Sequence, residues 1–425
     1  MPRYDRLFVG GQLVLLFGLA LLPHQALLHS LFKLTLLGKN LWLILPLAIT
    51  VAGMAVVVIQ AGGALALQLL LVCSMLWMAG IWAGLYWPQA GVAEVVVNTR
   101  PLFLFPLALL AGLAASRDAR FQRWFFCLVL LQGMAQALVG LLHVHVFPQV
   151  VTGTGAYVRG LAYFVTEEWA LFTSREAGTL GNPSAYAEII SVAAFAACYL
   201  LALRTRRLVS LPMLAGCLGL WLLLVTAVIP SLSRVAMVYV SVPFLVLLAS
   251  QMALAKPETR RLLLVLVAAV LGVMILVVLL GYPQLLDRYR LEGMYGRTQK
   301  NVVLADALWS DWNYFFFGLP AELLRSLRTP EGLGFGDNSY LRLAAAAGVP
   351  LCLAWVVLNL RIWHQAGMGR MASPVWRWLH WALLSYLLVL FYLGDVLFND
   401  GWLLMCTMLL AARPPEDVAT DPPSR

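Results

Sequence analysis

Apolar runs about twenty residues long recur along almost the whole chain, and this feature narrows the available folds more than any other. An α-helix rises about 1.5 Å per residue, so roughly 20 apolar residues cross a hydrocarbon core about 30 Å thick. Within lipid only a helix or a closed barrel satisfies its own backbone hydrogen bonds. The first half carries such runs at about 7–27, 41–60, 63–85, 101–115, 124–146 and 184–203. The second half carries them at about 211–230, 234–255, 262–281, 340–360, 378–393 and 396–412. The pattern predicts an all-α polytopic membrane protein with about 12 transmembrane helices. Composition agrees, because 62% hydrophobic and 12% charged residues do not fit a soluble domain, which is about half apolar and a quarter charged. The first run follows Arg3 and Arg6 as a signal peptide would, but no small-x-small cleavage site follows it, so it reads as a retained first helix.

The connectors provide an independent check on that count. Arg117, Arg120 and Arg123, then Arg204, Arg206 and Arg207, then Lys256, Arg260 and Arg261, then Arg361, Arg370 and Arg377 all fall on one side, with Arg3 and Arg6. Basic short loops mark the cytoplasmic side, which puts both termini in the cytoplasm. Lys33, Lys39 and Arg100 run against the trend. The net charge of +9 is thereby assigned to orientation, and nucleic acid is rejected as a partner. Trp77, Trp82, Tyr86 and Trp87 cluster near one helix end, where amphipathic rings suit the headgroup level. Six cysteines all sit in apolar runs without a CxxC pair or a neighbouring histidine, so they read as small hydrophobes, with neither a disulfide frame nor a metal site expected.

Six regions follow: N-terminal membrane helices (1–146), a first long periplasmic loop (147–183), central helices (184–281), a large periplasmic loop (282–339), C-terminal helices (340–412) and a tail (413–425). The tail is Pro-rich and polar and is expected to be disordered. Loops longer than helix joining requires tend to carry function, and both long loops fall on the periplasmic side. There is no internal repeat, which argues against a transporter built from paired halves.

Four groups of residues bear on chemistry. Arg175 precedes Asn182-Pro183, where Asn as cap and Pro at the first helical position predict a helix start. Free backbone N–H groups beside an arginine suit a phosphate, although a simple capped helix beside a solvated arginine reads the same residues. Ser231-Leu232-Ser233-Arg234 puts an arginine between two apolar spans with almost no loop. It either snorkels to water or serves a ligand. In the large loop, Arg288, Arg290, Arg297 and Lys300 precede the ring-rich stretch from Trp309 to Phe317, and the spacing from Gln299 to Leu308 permits a short surface helix. Those rings suit sugar faces and lipid equally. The loop closes on Gly332-Leu333-Gly334-Phe335-Gly336-Asp337-Asn338-Ser339, then Gly348-Val349-Pro350. The acidic residue reads either as a helix cap or as an active-site carboxylate. Glu188 is the main ionisable residue in mid-span, and His143 and His145 lie near a helix end.

In order, these pieces resemble the O-antigen ligase and O-antigen polymerase superfamily, polytopic C-type glycosyltransferases that use undecaprenyl diphosphate-linked glycans. The matching residues are Arg175 with Asn182-Pro183, Ser-Leu-Ser-Arg at 231–234, Arg297, and the GxGxGDNSYL ending with its Gly-Val-Pro turn, together covering roughly 175–355. The resemblance implies a metal-independent enzyme of the bacterial inner membrane that requires no cofactor and acts at the periplasmic face in lipopolysaccharide, capsule or exopolysaccharide synthesis. It implies that Arg175, Asn182, Arg234 and Arg297 bind the substrate diphosphate, and that Asp337, Asn338 and Arg297 are catalytic, with Asp337 the general base. Its partners would be the lipid-linked glycan, membrane lipids and a chain-length regulator or export complex. Ligases typically carry His-Asn where this chain has Asp337-Asn338, so polymerase stands ahead of ligase. A glycolipid transporter or flippase, and a non-catalytic export scaffold, are the readings from other classes.

Overall fold

The structure, a computed structural model, describes residues 5–24, 28, 35–36, 39–61, 63–145, 183–204, 211–231, 233–276, 292–320, 323, 338–365, 371, 373–393 and 400–414. The described chain is almost wholly helical, and its one sheet is the antiparallel pair Thr35–Leu36 (β1) and Lys39–Asn40 (β2), with Thr35 opposite Asn40. Seven helical segments are long and apolar enough to cross a membrane, and three shorter apolar helices accompany them. This is a multi-pass all-α membrane protein.

Helices α1 (Asp5–Leu21) and α2 (Leu41–Ala61) pack as a pair. Glycine permits their approach: a Cβ on Gly18 would stand 2.7 Å from the Thr50 backbone nitrogen, and one on Gly53 2.6 Å from that of Leu15. Small residues are what let helix backbones close up in lipid, where burying apolar surface gains nothing. Helix α3 (Gly63–Leu85) leads through a turn to α4 (Val92–Thr99) and α5 (Pro101–Ala115). The expected fourth span therefore starts earlier than 101. Arg100 keeps helical angles (φ −53°, ψ −31°), so α4 and α5 are nearly continuous, and Pro101 occupies a first-turn position where no N–H is missed.

Then come α6 (Ala119–His145), α7 (Pro183–Arg204), α8 (Leu211–Val228), α9 (Arg234–Tyr239), α10 (Val242–Leu254) and α11 (Pro257–Leu276). The span expected over 234–255 is broken between α9 and α10, because Pro243 has no N–H to offer the Tyr239 carbonyl. Helices α12 (Glu292–Trp309) and α13 (Trp312–Phe317) replace the short surface helix expected over 299–308; the helix begins seven residues earlier. The span expected over 340–360 divides at Gly348 into α14 (Ser339–Ala347) and α15 (Val349–Gln365). Helices α16 (Pro374–Leu393) and α17 (Asp400–Leu410) complete the fold.

Helix α7 is the axis of the bundle. Every residue from Ala185 to Tyr199 is buried, as befits a helix rich in alanine and apolar all round, and α6, α8, α9, α10, α16 and α17 pack around it. The outer helices show the opposite face of the same physics: Leu71, Met75, Met78 and Trp82 on α3 and Val265 and Ile275 on α11 lie exposed, as lipid-facing side chains should.

At one end of the bundle the residues after α17 meet the turn between α5 and α6. The Arg413 N–H donates to Ser116 Oγ at 3.1 Å and Gln122 Nε2 donates to the Arg413 carbonyl at 2.7 Å. The Arg413 guanidinium bonds the Gln365 carbonyl. The ends of α5, α15 and α17 and the start of α6 are thus tied together. His380, in the second turn of α16, stands 2.8 Å from the Ala412 carbonyl and packs edge-on against Tyr199.

Candidate functional site

The opposite end collects the beginnings of α7, α9 and α14, the three helices entered by the sequence motifs singled out above. Tyr186, in the first turn of α7, donates its hydroxyl to the Ala227 carbonyl near the end of α8 at 3.0 Å. The chain then turns through Ile229–Ser231 into α9. Ser231 builds that turn: fully buried, it donates to the Val228 carbonyl at 2.6 Å and accepts the Ser233 N–H at 3.2 Å. The first serine of Ser-Leu-Ser-Arg thereby fixes the place at which Arg234 begins α9. Ser191 Oγ lies 3.0 Å from its own-turn Ala187 carbonyl and 3.2 Å from the Ala236 carbonyl, which sets the register of α7 on α9.

Helix α16 joins these elements to α14. Tyr239 of α9 donates to Ser385 Oγ at 3.1 Å and packs its ring 4.8 Å from that of Tyr386. Five residues after Tyr386 on α16, Phe391 meets the Tyr340 ring edge-on at 5.6 Å. Helix α14 thus starts beside the same end of α16 that α7 and α9 flank. Helix α12, which carries Arg297, packs on α14.

Asn338 caps α14. Its side-chain oxygen accepts the N–H groups of Tyr340 and Leu341 at 3.0 and 3.1 Å, satisfying two of the four donors a helix start leaves open. The cap of this helix is therefore Asn338, where the sequence offered the acidic residue before it. With the oxygen so engaged, the amide nitrogen is the part of Asn338 suited to a ligand. Pro183 is the first residue of α7, as the Asn-Pro pair predicts. Arg175, Asn182 and Asp337 lie outside the described residues, and Arg234 and Arg297 are placed by their backbone alone.

Two features of this end escaped the sequence. The rings of α13 pack on those following α3: Tyr86 and Phe317 stack at 4.2 Å, and Trp87 and Tyr314 lie 5.5 Å apart. The cluster read as a headgroup mark is thus also a contact between distant parts of the chain. A small recess beside α14 is lined by Trp87, Glu94, Asn98, Leu319 and Ala346. Glu94 and Asn98 share one face of α4 at helical i, i+4 spacing, a signal visible only once that helix was recognised. Among the described residues no group of three or more histidine, cysteine or acidic side chains is placed to hold a metal, and five of the six unbridged cysteines are buried.

No protein-family model matches the chain, and neither a curated protein nor a solved structure shows detectable similarity to it.

Proposed function

We propose that this chain is a glycosyltransferase of the bacterial inner membrane, with about twelve crossings and both termini cytoplasmic, that polymerises undecaprenyl diphosphate-linked oligosaccharide units at the periplasmic face. The observation that carries the reading is the convergence of α7, α9 and α14 at one end of the bundle, with α12 packed on α14. Those four helices bring in Asn182-Pro183, Arg234, Asp337-Asn338 and Arg297 respectively. What supports the reading is that the described starts of α7, α9 and α14 lie near one end of α16.

The chemistry needs no metal and no nucleotide. The acceptor hydroxyl oxygen bonds to the donor's anomeric carbon while the bond from that carbon to the diphosphate oxygen breaks. Negative charge then gathers on the departing lipid diphosphate, and the guanidinium groups of Arg175, Arg234 and Arg297 offer paired donors to it. Asp337 takes the proton from the acceptor hydroxyl, and Asn338 orients the acceptor through its amide. Trp87, with Glu94 and Asn98 beside it, offers the ring face and planar polar groups that sugars favour.

The test is the length ladder of exported polysaccharide in a deletion strain complemented with wild type, Arg297→Ala or Asp337→Ala, each checked for membrane insertion. Single repeat units in the null strain and with both variants support the polymerase. Full-length polymer left on its lipid carrier assigns the chain as a ligase, and a wild-type ladder from both variants overturns the site.

A further inference from the structure

His380 lies in the second turn of α16 and is buried. Both of its ring nitrogens face backbone carbonyls. Nδ1 stands 2.7 Å from the Trp376 oxygen one turn back, and Nε2 stands 2.8 Å from the Ala412 oxygen just beyond α17. A carbonyl oxygen only accepts, and a neutral imidazole has a single N–H. A neutral ring therefore makes one of these bonds and sets a lone pair against the other oxygen. The imidazolium, with two N–H groups, makes both.

The rest of the surroundings also suits a cation. Ala412 sits in the turn that ends α17, its own N–H donating to the Leu409 carbonyl at 3.1 Å, and a helix C-terminus carries partial negative charge. The Trp376 ring lies 5.7 Å from the imidazole with 27° between the planes, inside the roughly 6 Å at which an aromatic face attracts a cation. Burial opposes a charge here; the two carbonyls, the helix end and the indole favour it.

Among the described residues no acid faces the ring. From α7 comes Tyr199, edge-on at 5.2 Å, with Cys198 next to it in the chain, and α17 brings Cys406; all three are buried. Helix α6 contributes Phe126, which packs on Trp376 and Tyr199. The neighbouring guanidinium groups are turned to other carbonyls: Arg377 donates to that of Met371 at 2.7 Å, and Arg413 bonds that of Gln365. Helix α10 has no titratable side chain. Tyr239 of α9 and Tyr340 of α14 meet α16 further along, at Ser385 and Phe391.

We propose that His380 is a proton-operated clamp: the protonated ring fastens the end of α17 to α16 through both carbonyls, and the neutral ring keeps the bond within its own helix and releases Ala412. Arg413 follows directly, and its bonds tie α5, α6 and α15 together, so one proton bears on the packing of that whole end. The clamp is independent of the transfer chemistry proposed above, and its fate and that of the glycosyltransferase reading are decided separately.

The experiment is solid-state nuclear magnetic resonance of the full-length protein in lipid, with isotope-labelled histidine rings and alanine and tryptophan carbonyls, from about pH 8 to about pH 4. Coupling of one ring to both a tryptophan and an alanine carbonyl identifies His380 without a variant. At the acid end both ring nitrogens should carry protons and the coupling to Ala412 should be strong; at the alkaline end one nitrogen should be bare and that coupling lost. His380→Gln, whose amide donates without titrating, should leave the Ala412 carbonyl signal unmoved by pH. A ring whose protonation does not change across the range overturns the proposal, and so does an Ala412 coupling of equal strength in both forms.

Discussion

The Trp87 indole N–H donates to the Gly318 carbonyl at 3.2 Å across 231 residues, fastening the turn after α3 to the end of α13. This bond and the ring stack beside it hold the ring-rich segment of the large loop against the first half of the chain. Trp87→Phe removes the donor but keeps a ring, and the expected loss is about 1 kcal/mol, the net worth of one hydrogen bond. Trp87→Ala also removes the packing of this partly buried ring and should cost more than Trp87→Phe, up to about 3 kcal/mol. Thermal unfolding in detergent distinguishes the two; equal melting temperatures for wild type and Trp87→Ala would show that the loop stands without this fastening.

Gly348 joins α14 to α15 with φ +89° and ψ 154°, and an added Cβ would run into the Phe316 carbonyl. That region of backbone space is almost closed to other residues and costs about 1–3 kcal/mol, before the collision is counted. Gly348→Ala should therefore lower the yield of folded protein in the membrane and its melting temperature. Gly272, on α11 with open space around it, provides the control: Gly272→Ala should be neutral or mildly stabilising.

Asn338 has a structural role that can be separated from a chemical one. Asn338→Ala should cost about 1 kcal/mol through the lost cap. Asn338→Asp and Asn338→Ser keep a capping oxygen and should melt close to wild type. If the Asn338 amide orients the acceptor, all three variants lose polymer length in the ladder assay, while only alanine loses stability. Full activity in the aspartate variant would reduce Asn338 to a cap.

The two ends of the bundle should face opposite compartments. Ser310, exposed between α12 and α13, and Glu258, exposed at the start of α11, are suitable reporters. A cysteine at 310 should react with an impermeant maleimide added to the periplasmic side, and one at 258 only after the membrane is opened. Because Cys127 is exposed on α6, the background should have it replaced by serine. Labelling of 258 from outside would invert the topology.

Much of this fold could be read from the sequence. Lipid leaves the backbone no partner but itself, so a run such as Gly63–Leu85 has a single solution, and each of the expected apolar runs overlaps helical backbone. The helix start at Pro183 was legible too, because a ring fixing φ and lacking an N–H favours the first turn wherever it occurs. Breaks inside the runs were less legible. Gly348 and Pro243 are ordinary residues in an apolar stretch until neighbouring helices decide whether the chain bends there.

Sequence by itself determined that the chain is helical, apolar outside and multi-pass, because those properties follow from local hydrogen bonding and from a solvent that tolerates only satisfied backbone. Tertiary structure alone decided that α7 is the axis and that α7, α9 and α14 begin at one end beside α16. Such neighbours depend on contacts between residues such as Ser191 and Ala236 or Tyr340 and Phe391. In lipid every helix has much the same apolar exterior, so partner choice rests on small residues, a few hydroxyls and ring contacts whose pairing no single segment specifies.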